Sequence, residues 1–257
     1  MTLTLILVLV PGVASAQRIT PEEFMWSGTL SQGQMIEVKG INGDLFAEPA
    51  TGNEVEVIAL LDGRRDDPAQ VEFEVLEHRD GITICAVYPS HGRRNNECRA
   101  GSRGRMNVRD FDVEVEFTVR VPAGIMFVGR TVNGDIDIRD LVGDAVGVTV
   151  NGDVDVVAAG TVEAHAVNGS IDAEMGSTDW TGELSFETVN GGIRLRVRDR
   201  FAAQIEASTV NGGFESDFPV TVRGRFGPRR ISGEIGEGGQ GMLRFRTVNG
   251  SISILRR

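Results

Sequence analysis

The sequence predicts an all-β protein: a parallel β-solenoid (β-helix) of about seven coils, with an N-terminal β-rich section capping it. Three observations predict it. First, the tripeptide Val-Asn-Gly recurs at Val132-Asn133-Gly134, Val150-Asn151-Gly152, Val167-Asn168-Gly169, Val189-Asn190-Gly191, Val210-Asn211-Gly212 and Val248-Asn249-Gly250. Ile231-Ser232-Gly233 reads as a degenerate copy in the one wide gap. Counting it, successive copies lie 18, 17, 22, 21, 21 and 17 residues apart, and a period of roughly 20 residues marks a stacked repeat. Second, apolar residues fall at every second position on both sides of each copy, as in Ala145-Val146-Gly147-Val148-Thr149-Val150 and Asp153-Val154-Asp155-Val156. That is the period of a strand. Third, no segment carries sustained helical periodicity. Only Thr20-Pro21-Glu22-Glu23-Phe24 reads as the start of a helical turn.

From the N-terminus, residues 1–16 read as an export signal. Residues 3–10 are apolar apart from one threonine, and Ala14-Ser15-Ala16 supplies a small-residue cleavage pattern. No Lys or Arg precedes the apolar run, which departs from the usual pattern. The run is too short for a membrane span, and no second long apolar stretch follows. The mature chain is expected to start at Gln17 and to have no stable membrane span once the signal is removed.

Residues 17–120 form the expected capping section. Strand-like runs cover 35–38, 54–60, 71–76, 82–87 and 111–119, with Asp62-Gly63 and Asp80-Gly81 as turns. Ile41-Asn42-Gly43-Asp44 looks like a stray copy of the repeat. Cys85 and Cys98 flank a polar loop, and in an oxidising compartment they are expected to pair. Two cysteines without suitably spaced histidines make no zinc site.

Residues 121–257 are the expected solenoid. One coil has no core of its own, so coils must stack, about 4.8 Å apart. Asn-Gly suits the bend, because Gly takes positive φ freely and Asn tolerates the left-handed region. Asn133, Asn151, Asn168, Asn190, Asn211 and Asn249 are expected to form a structural ladder of amide bonds. Val150 and Val154 are read as one face, with Thr149, Asn151 and Asp153 on the other. An antiparallel meander of long hairpins is the competing structure, since a single Asn-Gly is a hairpin signal.

The net charge is −11. From Ile193 onward 12 basic residues face 6 acidic ones, a balance of +6; up to Gly192, 14 face 31, a balance of −17. If coils stack in sequence order, the rod has an acidic and a basic end, which would favour head-to-tail self-association. Arg256 and Arg257 would guard the far end. Arg93, Arg94, Arg99, Arg103, Arg105 and Arg109 make the cysteine loop locally basic; a solvated loop is the ordinary reading and a phosphate surface the sharper one. An acidic chain with one Lys and no aromatic interleaving excludes a nucleic-acid partner.

Trp26-Ser27-Gly28-Thr29-Leu30 resembles the opening of the bacterial "putative adhesin" domain family of unknown function. Val119-Arg120-Val121-Pro122-Ala123-Gly124, leading into Thr131-Val132-Asn133-Gly134-Asp135-Ile136, resembles its central signature. These are similar in turn to auto-transporter adhesin head domains. The resemblance implies a β-solenoid and an envelope or extracellular location, and implies no catalytic residues.

Parallel β-helices that act on polysaccharides need paired carboxylates or a calcium cluster. Asp135, Asp137, Asp153, Asp155 and Asp172 recur at equivalent positions on consecutive coils until Arg194 takes the place; a solvated acidic stripe is the plain reading, weak cation binding the next. His78, His91 and His165 form no catalytic pattern, and there is no Gly-x-Ser-x-Gly elbow. Gly236 to Gly241 has no following Lys, so it reads as a turn and not a phosphate loop. A column of Thr131, Thr149, Thr188, Thr209 and Thr247 raises the idea of a flat hydroxyl face. No catalytic, cofactor-binding or metal residue is assigned. The expected function is an exported (periplasmic, cell-surface or secreted) non-enzymatic surface that binds an envelope polymer, glycan or protein. A carbohydrate-active β-helix enzyme and a self-assembling envelope scaffold are the alternatives.

Overall fold

The structure is a computed structural model describing residues 17–20, 23–90, 94–102, 104–222, 230–236 and 239–257. It contains β1 (Gln17–Thr20), β2 (Glu23–Thr29), β3 (Met35–Lys39), β4 (Leu45–Pro49), β5 (Glu54–Asp62), β6 (Glu72–His78), β7 (Gly81–Val87) and β8 (Glu114–Val121). Then come β9 (Met126–Arg130), β10 (Ile136–Leu141), β11 (Ala145–Val148), β12 (Val154–Ala158), β13 (Val162–His165), β14 (Ile171–Met175), β15 (Gly182–Glu187) and β16 (Ile193–Val197). The last are β17 (Ala203–Ser208), β18 (Phe214–Ser216), β19 (Val220–Val222), β20 (Arg230–Ile235), β21 (Gly241–Arg246) and β22 (Ile252–Arg256). Thr20 and Glu23-Phe24 of the expected helical turn lie in strands, and Pro21 and Glu22 lie outside the described residues.

These strands build two eleven-stranded sheets. One runs β1-β2-β5-β8-β4-β10-β12-β14-β16-β22-β18 and the other β19-β20-β17-β21-β15-β13-β11-β9-β3-β7-β6. Each rung is a strand of the second sheet, an Asn-Gly corner, and a strand of the first, as in β11–Asn151–β12. Neighbouring rungs pair in parallel. The fold is therefore a parallel β-solenoid, and the hairpin meander is excluded for the rungs.

The corner explains the repeat. A Cβ on Gly152 would lie 2.1 Å from the Gly134 carbonyl oxygen, and one on Gly191 2.0 Å from that of Gly169. No side chain fits where the backbones approach so closely. The corner also switches the phase of burial. Ala145, Gly147 and Thr149 are buried before it; Val154, Val156 and Ala158 are buried after it. Odd positions point inward on one side and even positions on the other, because the bend uses up half a strand period.

This switch corrects the expected faces. Thr149 is only 2% exposed, whereas Val150 is 37% exposed. The threonines point inward and donate to the carbonyl of a corner glycine on the neighbouring rung: Thr149 Oγ1 to Gly134 O at 2.9 Å, Thr188 to Gly169 at 2.8 Å, Thr247 to Gly191 at 2.9 Å, Thr209 to Gly250 at 2.9 Å and Thr131 to Gly43 at 3.1 Å. A buried hydroxyl must find a partner, and the column does so internally. The idea of a flat hydroxyl face falls with it.

Rung order is a second correction. The coil β21–β22 does not end the rod. It lies between β15–β16 and β17–β18, pairing in parallel with both. Phe186 of β15 stacks on Phe245 of β21 at 5.2 Å, and Arg244 bridges Glu183 and Glu206 on its two flanks. Arg256 and Arg257 consequently sit inside the stack, near Asp199 and Glu174. Ile231-Ser232-Gly233 is not a corner but part of β20, antiparallel to β17 and β19. Asn42 is no stray copy: β3 and β4 form a full rung around it.

At the first end, β7 and β8 pair in parallel with β3 and β4, and β6, β5, β2 and β1 add antiparallel strands. Phe24 of β2 stacks on Phe73 of β6 at 4.1 Å, closing the core. The described residues of the segment joining β7 to β8 are docked on the second sheet. The Cys85–Cys98 disulfide anchors it, and Asn96 is buried with bonds to Tyr88 O and Asn107 N. Beneath it Glu37, 1% exposed, accepts from Thr83 Oγ1, Gly101 N and Arg130 Nε at 2.8–2.9 Å.

The inward threonine column yields a direct test. Thr149→Val should cost about 1 kcal/mol by leaving the Gly134 carbonyl without its donor. Val150→Thr, one residue on but exposed, should stay within about 0.5 kcal/mol. Urea unfolding midpoints of the two variants check this; equal losses would contradict the burial assignment.

Candidate functional site

The outward surface of the first sheet carries the residues that the sequence singled out. Along the corner edge the asparagines stack as a ladder. Each Nδ2 donates to the Oδ1 of the rung before it, at 2.7–2.8 Å: Asn133 to Asn42, Asn151 to Asn133, Asn168 to Asn151, Asn190 to Asn168, Asn249 to Asn190 and Asn211 to Asn249. Asn249 thus precedes Asn211, following the rung order. Val150, Val167, Val189, Val210 and Val248 stand exposed beside the ladder.

The acidic stripe separates into two columns. Asp44, Asp135 and Asp153 immediately precede their strands. Each Oδ1 accepts the backbone N–H of the equivalent residue on the next rung, at 2.7–2.8 Å. Asp137, Asp155 and Asp172 form the second column, in register across β10, β12 and β14. Asp137 is paired with Arg139, and Asp172 with Arg194 and Arg196. Asp155 has no ion pair among the described residues. Its carboxyl is pushed above the usual aspartate range, first by desolvation and then by Asp172, Asp137, Asp153 and Asp135.

Past these acids the side chains shrink. A groove of about 360 Å³ opens there, lined by Asp153, Asp155, Ser170, Asp172, Gly192, Arg194, Ser251 and Ser253. Serines and a glycine leave space beside the Asp172–Arg194 ion pair. The result is a shallow bed of mixed donors and acceptors with no aromatic platform.

Other candidates lie elsewhere. His78 Nε2 is 3.1 Å from Thr83 Oγ1. His165 is half-buried on the second sheet, and desolvation lowers its pKa. His91, Arg93 and Arg103 lie outside the described residues, as do residues 1–16 of the export signal and 237–238 of the glycine-rich turn. Arg94, Arg99, Arg105 and Arg109 are exposed, with Arg99 on Glu97 at 2.7 Å. Among the described residues no three His, Cys, Asp or Glu side chains cluster to hold a metal, and no helix is long and apolar enough to cross a membrane. The buried Glu37 network escaped the sequence reading; Glu37 and Lys39 alternate in β3 like ordinary outward residues until the disulfide segment covers them.

Asp155 makes the site's pH behaviour predictable. A raised carboxyl pKa means that the folded state binds this proton more tightly than the unfolded chain. Asp155 therefore subtracts stability above its folded pKa, and the penalty disappears below the unfolded value of about 3.9. Asp155→Asn should raise stability at pH 7, read as a higher thermal midpoint, by no more than about 0.5 kcal/mol because solvent screens this exposed group. The gain should vanish near pH 3; a gain independent of pH would show that charge is not its source.

No curated protein matches this chain. Solved structures that resemble it include a "putative cell adhesion protein" from Clostridium sporogenes, at 11% identity and TM-score 0.47, covering 92% of this chain and 99% of that one. Another is a "putative adhesin" from Bacteroides fragilis, at 13% identity and TM-score 0.35, covering 91% and 98%. At these values neither likeness informs on function. Residues 129–255, nearly half of the chain, match the family described as Toastrack DUF4097, and the rod built on the repeated corners is similar to that family.

Proposed function

We propose that this protein is an exported, non-enzymatic binding surface of the bacterial cell envelope, with an adhesin-like role. One observation carries the reading. The repeated Asn, Thr and first-column Asp groups are engaged in bonds between rungs, which makes them architecture rather than reactive groups. What remains outward is a rigid array of side chains about 4.8 Å apart, on which weak contacts with a polymer add up. Within the section 17–120, the antiparallel strands β1, β2, β5 and β6 serve as the cap of this rod. The finer likeness to auto-transporter head domains rests on the sequence signature alone.

A second reading, a carbohydrate-active enzyme, draws on one feature: Asp155 is an unpaired carboxyl with a raised pKa in a polar groove, the kind of shift that general acids show. The two readings separate cleanly. The mature chain from Gln17, screened against glycans and envelope polymers, should bind without cleaving. Asp153→Asn and Asp155→Asn should leave the fold unchanged, with no turnover to lose. Polysaccharide cleavage that Asp155→Asn abolishes would replace the binding reading with the enzymatic one.

A further inference from the structure

The column that runs Asp44, Asp135, Asp153, Ser170, Gly192, Ser251 changes character half-way along the rod. In its first three steps an aspartate Oδ1 accepts the N–H of the next rung: Asp44 from Asp135 at 2.8 Å, Asp135 from Asp153 at 2.8 Å and Asp153 from Ser170 at 2.7 Å. Beyond Ser170 the carboxylates stop. The N–H groups of Gly192 and Ser251 occupy the same register, one residue before β16 and β22, yet neither has a partner among the described residues. Only at the last step does a side chain take over, when Gly213 N donates to Ser251 Oγ at 3.3 Å. Gly192 and Ser251 both line the 360 Å³ groove, alongside Arg194.

We infer that this groove is a carboxylate-binding subsite whose ligand is an acidic polysaccharide, a uronic-acid carboxylate taking the place that the aspartate column vacates. The inference rests on the reading of the rod as a polymer-binding surface and names the class of polymer. The protein shows the required geometry three times over with its own side chains. A carboxylate oxygen on a backbone N–H is a charge-assisted bond, stronger than the bond to water that it displaces. Arg194 adds positive charge beside the open donors. One of its nitrogens holds Asp172 at 2.6 Å, and the guanidinium has five N–H donors in all, so most of them stay available. Arg196 shares the neutralisation of Asp172.

The rest of the groove suits a sugar ring. The Asp155 carboxylate accepts from ring hydroxyls, and Ser170 and Ser253 both accept and donate. An acidic peptide fits less well. It has no set of vicinal hydroxyls for Asp155 to accept from.

The test exploits the internal precedent. Ser170→Asp continues the column by one rung, so the new carboxylate accepts the Gly192 N–H as Asp153 accepts that of Ser170. Calorimetric titration with a β-1,4-linked glucuronate trimer and the matched neutral glucose trimer reads the outcome. The native mature chain should bind the glucuronate trimer at least about tenfold more tightly than the glucose trimer, the scale of one charge-assisted contact. Ser170→Asp should keep or raise the thermal midpoint while weakening glucuronate binding by about tenfold or more. Arg194→Gln, which adds no charge to the column, should weaken it as well and covers the case in which Ser170→Asp fails to fold. Equal affinity for the two trimers, or undiminished glucuronate binding by both folded variants, overturns the subsite. Neutral envelope glycans that bind while the glucuronate trimer does not overturn the subsite and leave the binding-surface reading standing. A native chain that binds no envelope polymer at all removes both.

Discussion

Rung contact at the corner governs the rest of this molecule. There the glycine of one rung meets the carbonyl of the glycine beneath it so closely that an added Cβ would fall 1.8–2.1 Å from that oxygen at Gly134, Gly152, Gly169, Gly191, Gly212 and Gly250. The approach lets one asparagine amide reach the next and one threonine hydroxyl reach a neighbouring carbonyl. It also spends half a strand period, so the inward set changes parity across the bend, from odd to even at Asn151 and from even to odd at Asn168. A larger residue at the glycine would separate the rungs and break both sets of bonds together.

Because every corner is alike, the corner does not say which rung stacks on which. Pairing across the strands does. Phe186 against Phe245, Glu183 and Glu206 against Arg244, and Glu187 against Arg246 place β21–β22 between two coils that are consecutive in sequence. The opposite end is closed differently. Antiparallel strands cover it, and the disulfide-anchored segment replaces the corner between β7 and β8 while supplying the Gly101 N–H to the buried Glu37. That carboxylate, taken out of water, is held by three hydrogen bonds, one of them from the guanidinium of Arg130, which is what makes its burial tolerable.

The groove arises from the same column logic. Where aspartates precede the strands, each rung's N–H is satisfied from the rung before and the surface is filled. Where Ser170 and Gly192 take those places, the surface is both hollow and rich in unmatched donors. Arg194 in the adjacent column turns an otherwise acidic face into one that carries both signs. The groove is a departure from the repeat, built by omission of a side chain that the repeat elsewhere provides.

Much of this was legible beforehand. The spacing of Val-Asn-Gly, the alternation of valines around Asn151 and the shortage of helical periodicity together specify a stacked β-structure, because strand period and turn chemistry are local properties of a few residues. Cys85 and Cys98 were legible as a pair for a similar reason, being close in sequence and on either side of a polar loop. The exposure of Val150, the burial of Thr149, the place of Asn249 before Asn211 and the open donors at Gly192 and Ser251 were not. Alternation records that two sets of residues face opposite ways without saying which faces in, and a bend can exchange them. Seven interchangeable corners allow many stacking orders, and contacts between residues as far apart as Glu183 and Arg244 select one. The sequence alone therefore determined the rung and its corner, which short-range sterics dictate; the tertiary structure alone decided the order of rungs and the face each residue shows, since both depend on packing between distant segments.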